Sequence, residues 1–591
     1  MKDFLQKGII GVSLKSVFFY LSSKEKKKAS FIFILLISSS LVEIFGIASL
    51  VPVILTASDP NKVKESWFFG SIYDYIGFES HQKFVLFICA TLVIFFIIKN
   101  AFVLMVNLVQ VKFTEKLAVK IVDSQYDKYQ YLPYDMFSRL ETSSLVNNIL
   151  AVPVAFVNGV IRQLFLFFSE VFIIVIVILG MILYNPGLFL ITMIVIFPAI
   201  ALSYLPVRSM AQKIGARIDV LRPISYTSLA NLFAGMVEIK IAGKQKRFKK
   251  ILIDGESEIQ SLEAKSYMFS LLPGRIIEII AILAIVIIFI YSVVVEKNDN
   301  SFILNIGIFA AVAYRVMPSI NRLITSSVAM KQHITVIYNL EKYRGINLIR
   351  IEENNDSINF NDGIEFKNIS FSFQGMDSPV INNLSFKVKK GEKIGIIGSS
   401  GSGKTTLMNI LLRIFEEQSG SILVDGVSLN SNNIAAWYKT IGYVKQNTFL
   451  MADTILNNIT LRDSNPDLKQ VDYAMDQASI QEFVESLPIG ADTHIGESGA
   501  FLSGGQRQRI GIARALYKDM QILVMDEATS ALDSKTEQEI SEAIKKISNS
   551  NITMFIIAHR FSALQNCDRI LELDKGVIVR ECSYEQLMAD N

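Results

Sequence analysis

The chain has 591 residues, of which 51% are hydrophobic and 19% are charged, and its net charge is +3. This length favours more than one domain, and the low charge content is unlike that of a soluble enzyme of similar size. The small net charge and the lack of a basic stripe argue against nucleic acid as a partner. The three cysteines, Cys89, Cys567 and Cys582, form no CxxC pair that would indicate a zinc or redox motif.

Residues 1–28 mix charged and apolar positions and end in KEKKK. No clean apolar core precedes a small-residue cleavage site, so we do not expect a cleaved signal peptide. We interpret the segment as an amphipathic helix on the inner membrane face, with a solvated leader as the open alternative.

Six apolar stretches follow, each long enough to cross a bilayer as a helix of roughly 20 residues. They cover about 29–55, 83–109, 164–184, 187–205, 276–295 and 302–324. The last is interrupted by Arg315 and Arg322, and the third and fourth are separated by little more than NPG. We therefore expect an α-helical six-span transmembrane domain over residues 29–330.

The lysines and arginines predict the orientation of these spans. KEKKK precedes the first span, and KQKRFKK at 244–250 lies between the fourth and the fifth. Because short basic loops stay in the cytoplasm, we expect a multi-pass protein of the cell's inner (plasma) membrane, with the N-terminus and the C-terminal half both cytoplasmic. The aromatic stretch at 64–78 is expected to form a short helix at the outer surface.

The composition changes after residue 330. A polar linker is expected over 331–363, and short Val/Ile-rich strands then alternate with helical patterns over 364–591. This alternation is typical of an α/β domain with a largely parallel sheet. The predicted strand KIGIIG at 393–398 leads into GSSGSGKT, and a helix is expected over LMNILLRIF at 407–415.

A strand, a GxxxxGK[ST] loop and a helix in this order indicate a P-loop for ATP. The glycines let backbone N–H groups approach the phosphates, and the helix N-terminus adds its positive dipole end. Lys404 is expected to reach the β- and γ-phosphates, and the Thr405 hydroxyl to bind Mg²⁺. In ILVMDEATSALD at 522–533, an apolar strand ends in two acids. Asp526 fits the carboxylate on the Mg²⁺ side, and Glu527 fits the general base that polarises the attacking water.

LSGGQRQRIGIARAL begins at Leu502 and resembles the signature of ABC transporters. With the P-loop and the six spans, the whole chain resembles an ABC exporter half-transporter. The resemblance implies a homodimer in which Ser503, Gly504 and Gly505 of one chain close on the P-loop ATP of the other. It implies an α-helical six-span domain followed by an α/β P-loop nucleotide-binding domain with ATPase activity.

The same resemblance assigns further roles. Phe373 matches the aromatic residue that stacks on adenine, Gln446 the Q-loop glutamine, and His559 the switch histidine near the γ-phosphate. GESG at 496–499 and SALD at 530–533 match the stretch before the signature and the D-loop. The catalytic set is thus Glu527, His559 and Gln446, and the Mg²⁺ set is Thr405, Gln446 and Asp526. The expected ATP-binding residues are Phe373, Gly398, Ser399, Ser400, Gly401, Ser402, Gly403, Lys404, Thr405, Thr406, Gln446, Asp526, Ser503, Gly504, Gly505 and Gln506.

Two cytoplasmic stretches, 131–149 and 221–241, match the positions of the family's coupling helices. Simple extension of the spanning helices is a compatible interpretation. ATP binding is expected to dock two nucleotide-binding domains, and hydrolysis to release them. This movement would switch the spans between inward-open and outward-open states.

Charged residues within spans are candidates for contact with cargo. The candidates are Arg275, Glu278, Arg315 and Arg322, and Glu43 and Glu170 also fall within spans. Arg275 and Glu278 share one helix face and could simply pair with each other. Arg315 and Arg322 would form a basic strip suited to phosphate if they face the cavity, and snorkelling to the headgroups stays open for each.

LLPGRIIEII and MPSINRLITS are similar to stretches of the lipid-linked oligosaccharide flippase branch of bacterial ABC exporters. This more specific resemblance implies a polyprenyl-diphosphate glycan or another amphipathic lipid as cargo, and membrane lipids as neighbours. Export of drugs, peptides or other lipids fits the same architecture. An ATP-gated channel or regulator is disfavoured because it needs no catalytic base at Glu527, and the six spans argue against a soluble ABC ATPase.

Overall fold

The computed structural model describes residues 9–49, 67–78, 80–184, 186–291, 299–346, 348, 358–373, 375–376, 378–526, 534–548, 551–558 and 560–589. The chain divides into two compact units. The first consists of Met1–Gln130 and Leu140–Ile346, and the second of Tyr131–Arg139 and Asn347–Asn591.

The first unit is helical. The helices up to residue 341 are α1 (Ile9–Tyr20), α2 (Ser23–Ala48), α3 (Trp67–Ile76), α4 (His81–Gln130), α5 (Tyr134–Phe137), α6 (Thr142–Val146), α7 (Val152–Phe156), α8 (Arg162–Tyr184), α9 (Pro186–Ala234), α10 (Met236–Ile241), α11 (Gln245–Tyr291), α12 (Asp299–Gln332) and α13 (Ile334–Glu341). All belong to the first unit except α5, which belongs to the second.

Each of the six expected spans lies on a helix, on α2, α4, α8, α9, α11 and α12 in turn, although parts of the first and fifth stretches fall outside the described residues. Within the described residues, three helical runs have the length and apolarity of a membrane span: Ser23–Gly46, His81–Gln130 and Thr142–Leu183. With 50, 49 and 47 residues, α4, α9 and α11 continue far beyond a span of roughly 20 residues. These continuations form the non-membrane part of the first unit.

Two π-helical turns, Asn147–Ala151 and Val157–Ile161, join α6, α7 and α8. Gly159 lies in the second turn, and a Cβ there would be 2.3 Å from the His333 ring. The glycine therefore allows the junction between α12 and α13 to approach this helix closely.

Two apolar clusters hold the first unit together. One joins α1, α2, α4, the α7–α8 region and α13 around fully buried Ile32, Ile121 and Phe156. The other joins α8, α9, α11 and α12 around Ile320 and Ile324. Helix α1 contributes Ile9 to the first cluster, so it packs on the other helices and is not a solvated leader.

The second unit contains two sheets. Its strands are β1 (Gly363–Phe371), β2 (Ile381–Lys389), β3 (Lys393–Gly398), β4 (Ser419–Val424), β5 (Val427–Ser428), β6 (Ile441–Val444), β7 (Ile522–Asp526), β8 (Thr553–Ile557), β9 (Arg569–Asp574) and β10 (Val577–Cys582). One sheet has the order β2-β1-β4-β5 with antiparallel pairs throughout, and the other has the order β10-β9-β3-β8-β7-β6. The second sheet is parallel from β9 to β6, as the alternation of strands and helices predicts, whereas the separate antiparallel sheet was not predicted.

The helices of the second unit after β3 are α14 (Lys404–Leu411), α15 (Ile434–Thr440), α16 (Ile455–Thr460), α17 (Leu468–Gln477), α18 (Gln481–Glu485), α19 (Gly504–Tyr517), α20 (Ser534–Ser548) and α21 (Tyr584–Ala589). The predicted strand KIGIIG is β3, but the helix expected through Phe415 ends at Leu411. It ends there because Arg413 adopts a left-handed backbone, with φ of 54°, which an α-helix does not contain.

Candidate functional site

The loop between β3 and α14 has the backbone of a phosphate cradle. Gly398 has φ of 148°, and a Cβ on it would lie 2.2 Å from the Leu573 carbonyl oxygen. Gly403 has φ of 105° and caps α14, and a Cβ there would lie 2.8 Å from Ile381 Cδ1. Neither position accepts a side chain without displacing backbone or core, which explains the two glycines.

Lys404 is the first residue of α14 and is buried. Its Nζ donates to the carbonyl oxygens of Gly398, at 2.8 Å, and Ser399, at 2.9 Å. The ammonium group is therefore held over the loop, beside the N-terminus of α14. Thr405 follows in the first turn of the helix and is exposed. Together, the open backbone, the buried ammonium and the accessible hydroxyl suit a nucleotide phosphate with a divalent cation.

Parallel pairing brings the other sequence motifs to the same edge of the sheet. Asp526, at the end of β7, is in register with Ile557 at the end of β8, and Ile557 is in register with Ile396 of β3. The carboxyl ends of these strands therefore lie side by side. Asp526 is buried, and Gln446 follows the neighbouring strand β6 by two residues. Glu527, His559 and the SALD segment lie outside the described residues.

The surroundings of this sheet edge change the pKa of Tyr443. The pKa of Tyr443 is raised to about 12. Burial is the main cause, and the nearby Asp526 carboxylate is the second. Tyr443 therefore stays protonated near Asp526. Among the described residues, Asp526 places a carboxylate at the strand ends and Lys404 places an ammonium over the loop.

The signature forms the start of α19. Ser503 is the N-cap, its hydroxyl accepts from the Gln506 N–H at 3.2 Å, and its own N–H donates to Gln506 Oε1 at 2.8 Å. This reciprocal capping box fixes the helix entry. Ser503 and Gly504 are exposed, whereas Gly505 is buried. An exposed helix N-terminus with no acid in its first turn can receive a phosphate from outside the unit.

Phe373 lies in an aromatic cluster within the second unit. Its ring is 5.1 Å from that of Phe371 and 5.5 Å from that of Phe415, both edge to face. The Phe415 ring is also 5.8 Å from that of Tyr134 on α5. The predicted adenine-stacking residue is therefore connected to the segment 131–139, which is one of the stretches predicted to couple the domains.

The candidate cargo residues have different surroundings. Arg275 Nη1 lies 3.0 Å from Glu278 Oε2 on the same helix, and both side chains are exposed. Arg322 Nε lies 2.8 Å from Glu170 Oε1, which joins α12 to α8. The side chain of Arg315 lies outside the described residues. The structure thus does not bring the four candidates into one described cluster.

Sequence reasoning missed Tyr134, Phe415 and the pairing of Glu170 with Arg322. Glu170 stood out as a charge within a span, but its partner is 152 residues away and no local pattern identifies it. Tyr134 and Phe415 were unremarkable aromatic residues in a cytoplasmic stretch and a helix end. Only the tertiary structure brings these pairs together.

The loop, the buried lysine and the acid on a parallel strand of the same sheet define the second unit as a nucleotide-binding domain of the P-loop class. Residues 381–530 match the family "ABC transporter", and residues 32–319 match the family "ABC transporter transmembrane region".

Relatives agree with this assignment. The ATP-dependent lipid A-core flippase of Haemophilus influenzae is 32% identical over 412 residues, which cover 67% of this chain and 68% of that protein. The protein of the same name in Saccharophagus degradans is 31% identical over 385 residues, 64% of each chain. That of Burkholderia orbicola is 44% identical over 225 residues, 38% of each chain. The match to several such relatives thus spans about two fifths of their length.

A solved structure of a bacterial Atm1-family ABC exporter with ATP bound covers 96% of each chain with a TM-score of 0.77 and 21% identity, so the two share a fold. The chain belongs to the ABC transporter family. Its architecture is that of an exporter, in which a helical transmembrane domain precedes the nucleotide-binding domain on one chain, and the predicted fold class and family are confirmed.

Proposed function

We propose that this chain works as a homodimer in the inner membrane, where it hydrolyses ATP to move an amphipathic lipid with an anionic headgroup out of the inner leaflet. A lipid-linked saccharide is the cargo that fits best. The observation that carries the proposal is the P-loop edge of the parallel sheet, on the same chain as helices of membrane-spanning length and apolarity. The relatives named lipid A-core flippases support a glycolipid as cargo.

The proposed reaction is ATP plus water to ADP plus phosphate. The P-loop N–H groups and Lys404 would hold the phosphates, while Thr405, Gln446 and Asp526 would hold Mg²⁺. A bound Mg²⁺ ion neutralises developing charge on the phosphates. Glu527 would accept a proton from the attacking water, and His559 would contact the γ-phosphate. The buried Asp526 and the cradle glycines support this assignment.

A second copy would complete each ATP site, because the family resemblance places the signature of one chain on the P-loop nucleotide of the other. The exposed N-terminus of α19, capped by Ser503, would close on the P-loop nucleotide of the partner. Because the two nucleotides would then be shared between chains, ATP binding docks the domains and hydrolysis releases them. The segment Tyr131–Arg139 belongs to the second unit although the helices on both sides of it belong to the first, which supports its role in transmitting this movement.

The orientation is inferred from the basic residues that flank the spans, with the N-terminus and both nucleotide-binding domains in the cytoplasm. In that orientation Arg322, Arg275 and Glu170 lie towards the cytoplasmic ends of their spans. Arginines at this depth are placed to meet the phosphate of an inner-leaflet lipid.

The test is to purify Glu527→Gln in membrane discs without ATP and to weigh the lipid that stays bound by native mass spectrometry. We expect an anionic glycolipid, and we expect it to be lost in Arg322→Ala. Arg217→Ala serves as the control, because this arginine pairs with Glu258 outside the spans. Recovery of bulk phospholipid alone, or a ligand that is indifferent to Arg322, would contradict the proposed cargo and leave export of drugs, peptides or other lipids.

A further inference from the structure

Helices α8 and α12 are joined by an ion pair within their membrane-spanning parts. Arg322 Nε lies 2.8 Å from Glu170 Oε1. The Glu170 side chain is only 5% exposed, whereas that of Arg322 is 43% exposed. The carboxylate is therefore enclosed by protein, whereas the Arg322 side chain is partly open and its guanidinium has donors besides Nε.

The pair lies near one end of both spans. Glu170 is six residues from the start of the apolar stretch 164–184, and Arg322 is two residues from the end of the stretch 302–324. At 1.5 Å per helical residue, these offsets are about 9 Å and about 3 Å. In the proposed orientation, both side chains lie close to the headgroups of the inner leaflet.

Other polar side chains lie at the level of the pair on the same and neighbouring helices. The hydroxyls of Ser169 and Ser40 are 3.0 Å apart and join α8 to α2. Ser319 is fully buried one turn before Arg322. A Cβ on Gly274 of α11 would lie 3.3 Å from Asn321 Oδ1, so the two helices approach closely at this level. The ion pair thus lies in a polar layer that spans four helices.

The ion pair of Glu170 with Arg322 differs from another ion pair of this layer in how far its carboxylate is enclosed. Arg275 and Glu278 also form a pair within the membrane part, but both are on α11, one turn apart, and both are exposed. Loss of that pair leaves two groups that the protein does not enclose. Loss of the Glu170–Arg322 pair leaves a carboxylate enclosed in protein, which is costly.

We propose that Glu170 is a built-in counter-ion that occupies Arg322 until the phosphate or diphosphate of a lipid replaces it, and that Glu170 thereby sets the charge that a headgroup needs for binding. This inference rests on the proposed function, because it takes an anionic lipid as cargo. The other donors of the guanidinium receive the incoming phosphate first. The carboxylate then competes with it for the same five donors.

Competition of this kind makes the site selective. A diphosphate carries more negative charge than a monophosphate and offers more oxygens to the arginine, so it displaces the carboxylate more readily. An uncharged headgroup has no means of displacing it. Glu170 therefore favours diphosphate-headed lipids over singly charged and neutral ones, at the cost of absolute affinity.

The test uses one isoprenyl tail with three headgroups: farnesyl diphosphate, farnesyl monophosphate and farnesol. Binding to the full-length protein in phosphatidylcholine discs is measured by native mass spectrometry. We expect the wild type to bind in the order diphosphate, monophosphate, alcohol. Glu170→Gln keeps the shape of the side chain and removes the competing charge, so monophosphate binding should strengthen about tenfold and the preference for diphosphate should shrink.

Four further variants test the same proposal. Arg322→Gln should weaken diphosphate binding about tenfold or more, and the double variant should match Arg322→Gln alone, because Glu170 acts through Arg322. Glu258→Gln removes the same charge from the exposed Arg217–Glu258 pair outside the spans and should change nothing. Glu170→Asp keeps the carboxylate on a shorter side chain, so its binding of the monophosphate should lie between that of the wild type and that of Glu170→Gln. This variant tests the proposal even if another folds poorly.

The outcomes separate the inference from the function on which it rests. If the wild type binds the phosphates but Glu170→Gln has no effect, or the same effect as Glu258→Gln, the counter-ion role is overturned while the cargo proposal stands. If the wild type binds none of the three, both are overturned. Competition with inorganic diphosphate identifies the source of the anion: equal displacement by the free ion would contradict a lipid headgroup as the ligand.

Discussion

The ring of Tyr134 lies 5.8 Å from the ring of Phe415, and this contact fixes α5 within the second unit. Phe415 is buried and also stacks on Phe371 at 5.1 Å. Phe371 and Phe415 in turn flank Phe373, the predicted adenine platform. Four aromatic rings therefore connect the nucleotide site to a segment that is continuous in sequence with the membrane helices.

The first prediction follows from this contact. Tyr134→Ala should keep ATP binding but reduce the stimulation of ATPase activity by cargo, because it removes the ring through which α5 meets the domain. Residues that carry coupling typically contribute about 0.5–2 kcal/mol. The measurement is ATPase rate with and without lipid cargo. Phe137→Ala is the matched control, since its described ring contact is with Tyr134. Equal stimulation in Tyr134→Ala and the wild type would count against the coupling role.

The second prediction concerns the P-loop. Lys404→Ala removes an ammonium that lies over the loop carbonyls, so ATP binding and hydrolysis should both fall about a hundredfold or more. Gly403→Ala should give a similar loss for a different reason, because a Cβ would lie 2.8 Å from Ile381 Cδ1 at φ of 105°. Nucleotide binding is measured with a fluorescent ATP analogue. Gly426→Ala is the control for backbone strain alone, because φ there is also positive, at 80°, while no atom lies within 4 Å of a Cβ. Wild-type binding by Gly403→Ala would show that the loop tolerates the side chain.

The third prediction separates the two roles of Ser503. Ser503→Ala removes the N-cap of α19 and should destabilise the domain by about 1 kcal/mol. Ser503→Asp keeps a good cap but places a negative charge where the partner's phosphate is proposed to bind. It should therefore melt near the wild-type temperature and hydrolyse almost no ATP. Active Ser503→Asp would argue that this helix end receives no phosphate.

The fourth prediction is a titration outside the membrane. Lys128, near the end of α4, donates to the Leu340 carbonyl oxygen at 2.6 Å. The pKa of Lys128 is lowered to about 8, mainly by burial and next by the nearby charge of Arg344. Glu341 has a weaker effect in the opposite direction. Because the unfolded lysine keeps its proton to higher pH, the native state gains stability as pH rises from about 8 to about 10.5.

The pKa of Lys128 can be measured by its reactivity with acetic anhydride as a function of pH, followed by mass spectrometry. Lys116, an exposed lysine on the same helix, supplies the reference rate. A midpoint near pH 8 is expected. In Leu340→Pro the helix that supplies the accepting carbonyl is broken, so the midpoint should rise as the lysine becomes hydrated. An ordinary lysine midpoint in the wild type would contradict the burial.

Most of the second unit could be predicted because its chemistry is local in sequence. The P-loop, the acid after β7 and the capping box at Ser503 each occupy a few consecutive residues, and parallel strand order then brings them to one edge. Each of the six predicted spans lies on a helix, because a long apolar stretch is itself a local sequence signal. The separate antiparallel sheet was missed because β3, a strand of the parallel sheet, lies between β2 and β4 along the chain.

The sequence did not predict the contacts between residues that are far apart in the chain. Arg275 and Glu278 were recognisable as a pair from their spacing, and the structure pairs them. Arg322 was expected to form a strip with Arg315, and its contact with Glu170 on another helix has no sequence signal. The insertion of α5 into the second unit likewise depends on two rings separated by about 280 residues of chain.

The most direct test of the account is lipid movement driven by ATP. Purified protein is reconstituted in vesicles with a fluorescently labelled polyprenyl diphosphate, and dithionite reports how much label is exposed outside. Adding ATP and Mg²⁺ outside should increase the dithionite-protected fraction for the wild type and leave it unchanged for Glu527→Gln. Vesicles that hydrolyse ATP yet show no change in protection with this lipid, or with a labelled lipid A-type glycolipid, would contradict the proposal that the transporter flips an anionic lipid.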